Sequence, residues 1–153
     1  MKNRVKIGDI IEIKTKKGLA YAQFSHRHAQ YGALIRVLPG FFQETPINFT
    51  ELASIKESFV TFFPLQAAVN RSIVHVVSNC KIPDFAKSFP LFRTGIEDSI
   101  TRKVKVWWLW DGINEWKIDK LTDEQYKLPL RGIWNDTLLI ERIESGWTPT
   151  KDK

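Results

Sequence analysis

Residues 103–118, KVKVWWLWDGINEWKI, set two apolar runs on either side of Asp111-Gly112 and gather four of the chain's six tryptophans within ten positions. An Asp-Gly pair between such runs signals a β-hairpin, because these residues tolerate the backbone conformation of a tight turn. A loop of two residues or of four leaves side-chain parity unchanged. One face then carries Val104, Val106, Trp108, Trp110, Ile113, Glu115 and Lys117. The other carries Lys103, Lys105, Trp107, Leu109, Asn114, Trp116 and Ile118. With the two-residue loop, Trp107 stands opposite Trp116, an aromatic cross-strand pair worth about 0.2–1 kcal/mol. Rings on both faces exclude a hairpin with one wet side. A core is expected over one face, holding Trp107 and Trp116. The other face, with Trp108 or Trp110 the more accessible, is expected under the preceding connection or against a partner.

The first third reads as a β-meander. Gly8-Asp9 opens the run IIEIKT, Lys16-Lys17-Gly18 is a turn, and LAYAQFSH and YGALIRVL follow before Pro39-Gly40. The apolar period is close to two, which suits strands and rules out a helix. In the middle, TELASIKESF (50–59) spaces Leu52, Ile55 and Phe59 as a helix would, with Thr50 as its N-cap. FVTFFPLQAAVN gives a strand ending at Pro64, which serves as the first residue of a short helical turn. SIVHVVSN (72–79) is a β-branched strand. Residues 80–101, with Pro83, Pro90 and Gly95, read as a long irregular connection, and such loops are often functional or packed as a lid. IWNDTLLIERIESGW predicts a helix capped by Asn135 or Asp136, with a Leu139, Ile140 and Ile143 stripe. If Asn135 is the cap, Trp134 and Leu139 staple the helix start; Gly146 ends it and Trp147 folds back. Residues 1–4 and 149–153 are expected to fray.

A chain of 153 residues fits a single domain with a core of its own. Its one cysteine, Cys80, allows no internal disulfide, which suits a reducing compartment. The start lacks the apolar run of a secretory leader, and no apolar stretch reaches membrane-spanning length. A cytoplasmic protein without membrane contact is expected. The net charge of +6 is dispersed, with no run of five basic residues, so it reads first as a solubility feature.

No catalytic frame emerges. Ser, His and Asp occur without a nucleophile elbow, and the scattered glycines form no phosphate cradle. His26-Arg27-His28 with His75 lacks the spacing of a zinc site and reads as a polar strand end. No cofactor and no metal are expected.

The order VKIGDIIEI, GLAYAQF, the proline–FRTG segment, the WxLWDG hairpin and the terminal ERIESGW resembles a family of small bacterial immunity proteins of polymorphic-toxin systems, over about residues 5–148. The resemblance implies a mostly β fold without enzymatic activity; with the residues' own pattern the expected fold is α+β, mostly β, a strongly curved antiparallel sheet or partly open small barrel with an SH3-like N-terminal meander, the Trp-rich hairpin and a C-terminal helix. It also implies a partner, the cognate toxin, which such proteins neutralise by stoichiometric binding. Candidate contact residues are Trp108 and Trp110 on the second hairpin face, Tyr31 at a strand start and Arg93 in the long connection. The alternative from a different class is a nucleic-acid-binding small barrel, in which exposed rings stack on bases and lysines follow phosphate. Exposed rings in a basic groove would favour nucleic acid, whereas an aromatic centre in a flat or acidic patch would favour a protein.

Overall fold

The computed structural model describes residues 4–152, which form two compact units. Among the described residues the first comprises 4–87 and 132–147, the second 88–131 and 148–152. Together they are mostly β: two antiparallel sheets and a few short helices. The expected fraying of residues 1–3 and 153 lies outside the described residues.

The sheet of the first unit has five strands. β1 (Asp9–Thr15), β2 (Gly18–His28) and β3 (Gly32–Val37) follow one another as the alternation predicts. β4 (Phe59–Phe62) lies beyond β3 and β5 (His75–Asn79) beyond β1, giving the order β4-β3-β2-β1-β5. β2 is buried on both faces from Ala20 to Ser25, so even its polar residues need partners. Gln23 donates to the carbonyls of Gly8 and Cys80 and accepts from Arg36. Ile10, Tyr21, Leu38, Leu52, Ala53 and Cys80 form one core cluster.

Two helical expectations change in detail. α1 covers only Phe49–Ala53 and is capped by Asn48, whose side chain accepts the Glu51 N–H. It stops early because the buried Arg36 guanidinium takes the carbonyls of Ala53 and Ile55, and Ile55 is exposed. Pro64 is the N-cap of α2 (Leu65–Asn70) and not its first helical residue. The fifth strand starts at His75, not at residue 72. Ser72 has a left-handed backbone, and the Ile73 N–H closes onto the Ala68 carbonyl at the helix exit.

α3 (Asp136–Ser145) follows its sequence signals closely. Asn135 accepts the Leu138 N–H, Gly146 takes φ 69°, and the Trp147 N–H returns to the Arg142 carbonyl. Trp134 and Trp147 meet edge to face at 5.1 Å, and the Arg142 guanidinium lies 4.5 Å from the centre of each ring. Contacts of this kind add about 0.5–2 kcal/mol each.

The second unit corrects the long connection. Residues 80–101 contain a 3-10 turn at Asp84–Ala86 and, within the second unit, a strand, β6 (Phe92–Glu97). β6 pairs with β7 (Val104–Trp110), which pairs with β8 (Glu115–Ile118). The hairpin loop takes four residues, Asp111–Asn114, because the Asp111 carboxylate accepts the N–H groups of Ile113 and Asn114. Trp107 therefore pairs with Ile118 and not with Trp116, which faces Leu109 and is 41% exposed. A bulge between β6 and β7 also breaks the simple parity and brings Val104 to the face of Trp107. Residues 149–152 do not fray among themselves: Pro149–Lys151 form a 3-10 turn with Pro149 buried.

Candidate interaction surface

The second unit's three strands present two unlike faces. On one, Trp107, Leu109 and Leu121 form a small core with Leu91, Val104, Ile118, Tyr126 and Leu128 around it. Gly95 makes room for it, since a Cβ there would stand 2.5 Å from Val104 Cγ1 and 2.9 Å from the Trp107 ring.

The other face is divided along its length. At the loop end Phe92 pairs with Trp110, their rings 5.3 Å apart, and Phe89 packs edge-on to Trp110 at 5.7 Å. The Arg131 guanidinium sits 4.5 Å over the Trp110 ring. Farther along, Thr94 pairs with Trp108, Trp108 with Lys117, and Ile96 with Val106. Ile96 is 69% exposed, Val106 and Trp108 are half-buried, and an open depression of about 400 Å³ lies over them. This end of the sheet is an apolar surface centred on an indole.

Its rim carries both signs of charge. Lys105, Lys117, Glu97 and Asp98 line it; Lys105 pairs with Asp98 at 3.5 Å, and Glu97 pairs with Arg102, outside this depression, at 3.5 Å. The Asp98 carboxyl is held below its ordinary value, chiefly by the N–H groups of Thr101 and Ile100 in the β6–β7 turn and also by Lys105. It therefore stays ionised through the neutral range. Partly committed lysines and arginines beside carboxylates do not make the continuous cationic track that phosphate requires.

Of the four residues singled out from sequence, only Trp108 lies on this surface. Trp110 is 3% exposed, and its ring is internal to the second unit. Arg93 is 1% exposed on the opposite face, its guanidinium 5.1 Å from the Trp107 ring and 5.4 Å from the Tyr126 ring. Tyr31 belongs to the first unit, half-buried against Phe62 at 5.0 Å and His28 at 5.4 Å. Ile96 and Val106 went unremarked as site residues. The signal for them was the alternation of Phe92, Thr94 and Ile96, masked by reading residues 80–101 as loop.

Two of the three histidines, His26 and His28, have structural partners. His26 lies 3.0 Å from Ser25 Oγ and 2.8 Å from the Lys87 carbonyl oxygen, and His28 Nδ1 accepts from the Gln30 and Tyr31 N–H groups. Among the described residues no group of three or more His, Cys, Asp and Glu is placed to hold a metal, and no helix is long and apolar enough to cross a membrane. Comparison with protein-family models, curated proteins and solved structures gave no match.

Proposed function

We propose that this is an immunity protein of a polymorphic-toxin system, which binds one cognate toxin domain in the cytoplasm and neutralises it by occupancy, without catalysis. On this reading the β1–β3 meander is an SH3-like framework, and the β6–β8 sheet supplies the contact. The observation that carries the proposal is the open end of that sheet. A half-buried Trp108 flanked by Ile96 and Val106, inside a mixed-charge rim, has the make-up of a protein-binding hot spot: an aromatic anchor in an apolar centre, with polar groups around it. The Lys105–Asp98 pair and the Glu97 carboxylate favour a protein over nucleic acid at this position.

An effective inhibitor must occupy nearly all toxin at low cellular concentration, so a Kd near 1 nM, about −12 kcal/mol, is expected. The test is co-expression with the toxin domain encoded beside it, followed by gel filtration. Rescue of growth and a stoichiometric complex are expected. Trp108→Ala should weaken the complex about 30-fold or more, as loss of a hot-spot residue does, with little change in melting temperature. Undiminished killing with no complex would overturn the proposal.

A further inference from the structure

A second depression in the same unit, about 450 Å³, lies on the outer edge of β6 and differs in chemistry from the first. Four cationic side chains line it, Arg93, Arg102, Arg131 and Lys151, against two carboxylates, Glu97 and Asp152. Arg131 is paired with Glu115 at 2.5 Å, and Arg102 with Glu97 at 3.5 Å. Arg93 is the unusual member. Its Nη2 donates to the carbonyls of Tyr126, Pro149 and Asp152, while its buried Nε has no hydrogen-bond acceptor among the described residues. Among those residues it forms no direct ion pair, so its charge is only partly compensated where it lies.

The backbone adds direction to this charge. The Arg93 N–H donates to the Pro129 carbonyl and the Arg93 carbonyl accepts from the Arg131 N–H, so residues 129–131 run beside β6 as a short parallel addition. Peptide groups on an antiparallel strand alternate, so if Arg93 directs both groups outward, Gly95 does too. No hydrogen bond from another segment reaches Gly95 among the described residues. Arg102 lines the same depression on a backbone with φ 61°, a conformation that non-glycine residues rarely adopt and that recurs at functional positions. The β6–β7 turn fixes it there through Asp98, whose carbonyl accepts the Arg102 N–H.

We infer that this edge is an acidic-peptide site: an extended segment of the partner adds to β6 at Gly95 and places a glutamate or aspartate carboxylate among Arg102, Arg131 and Lys151. Main-chain bonds to the strand would supply affinity, and the carboxylate would supply selection. The inference rests on the partner-binding reading and names the chemistry of the partner's segment, which complements both the pocket and the chain's positive charge.

The test needs no toxin. Isotope-labelled full-length protein is titrated at low ionic strength with a blocked pentapeptide, Thr-Val-Glu-Val-Thr, with its glutamine counterpart, and with inorganic phosphate. Amide shifts centred on Gly95 and Glu97 are expected with the glutamate peptide, with about tenfold weaker binding of the glutamine peptide, the loss of one charge-assisted contact. Arg102→Glu and Lys151→Ala, each checked for an unchanged melting temperature, should each weaken the glutamate peptide by a similar factor. Equal binding of the two peptides, no response at Gly95, or phosphate binding as tightly as the peptide would each overturn the site. The outcomes separate the two proposals. A toxin bound equally well by Arg102→Glu removes this site and leaves the immunity reading standing. A peptide bound as expected by a chain that neutralises no toxin leaves the site and removes the immunity reading.

Discussion

Arg36 and Arg93 are the largest fully buried side chains, and the fold compensates them by different means. Arg36 has a charged partner, Glu57 at 2.9 Å, together with Gln23 and two carbonyls. Burial pushes the Glu57 carboxyl up, but hydrogen bonds from Lys56 and Arg36 outweigh it and hold it below its ordinary value. Arg93 relies on carbonyls and ring faces, and burial pulls its guanidinium below the usual value, opposed by Asp152 and Tyr126. Tyr21 gives the most direct titration test. Its phenol is buried and donates to Glu12 Oε2 at 2.8 Å. Burial first, and the Glu12 carboxylate second, push it up to about 12 from 10.0. The fold thus favours the neutral phenol. That contribution is complete below the unfolded value near 10 and is lost as pH rises through about 12. Melting temperature measured against pH should therefore fall more steeply over this window in the wild type than in Tyr21→Phe. Parallel curves would show that Tyr21 does not drive the alkaline limb.

At the level of elements, β7 decides the second unit. Trp107 fills the small core beneath Gly95, so Trp107→Ala should cost about 3–5 kcal/mol, as aromatic truncations in cores do. Gly95→Ala should cost about 1–3 kcal/mol by overpacking against Val104 and Trp107. Urea titrations of both variants check this pair, and unchanged midpoints would show that the ring is not confined there. The same strand marks how far the sequence could be read. Period-two alternation identified β1 to β3, and the Asn135, Gly146 and Trp147 signals identified α3, because each depends on neighbours in sequence. The hairpin was legible for the same reason, but its register was not. The Asp111 carboxylate selects the four-residue loop by binding two N–H groups, and a choice between loops of equal parity leaves no trace in an apolar pattern. β6 was missed because Pro90 and Gly95 read as breakers. Pro90 precedes the strand, and Gly95 is required by a ring on the neighbouring strand. The burial of Trp110 and Arg93 was not legible for a related reason. Phe89, which covers Trp110, and the carbonyls of residues 149 and 152, which hold Arg93, are tertiary partners that composition cannot supply.

The chain as a whole passes between the two units three times, after residues 87, 131 and 147. The second unit contains ten basic and eight acidic residues in sequence, so the excess positive charge resides mainly in the first. Nucleic-acid binding by the whole molecule should accordingly be no tighter than the non-specific range, about 10⁻⁴–10⁻⁶ M at physiological salt. Fluorescence anisotropy with labelled single- and double-stranded oligonucleotides measures it, and sequence-selective nanomolar binding would replace a protein by nucleic acid as the partner. The carbonyl acceptors of Arg93 at residues 149 and 152 lie 56 and 59 positions farther along the chain. At ordinary rates of synthesis, about 5–20 residues per second, a ribosome needs about 3–12 s to deliver them after Arg93 is joined. All three strands are complete in sequence only at Ile118, 31 positions before the first of these acceptors, and until the acceptors arrive the guanidinium must keep its water. The sheet that bears the proposed contacts is therefore made early and closed late, and a stall between residues 131 and 148 would leave it open.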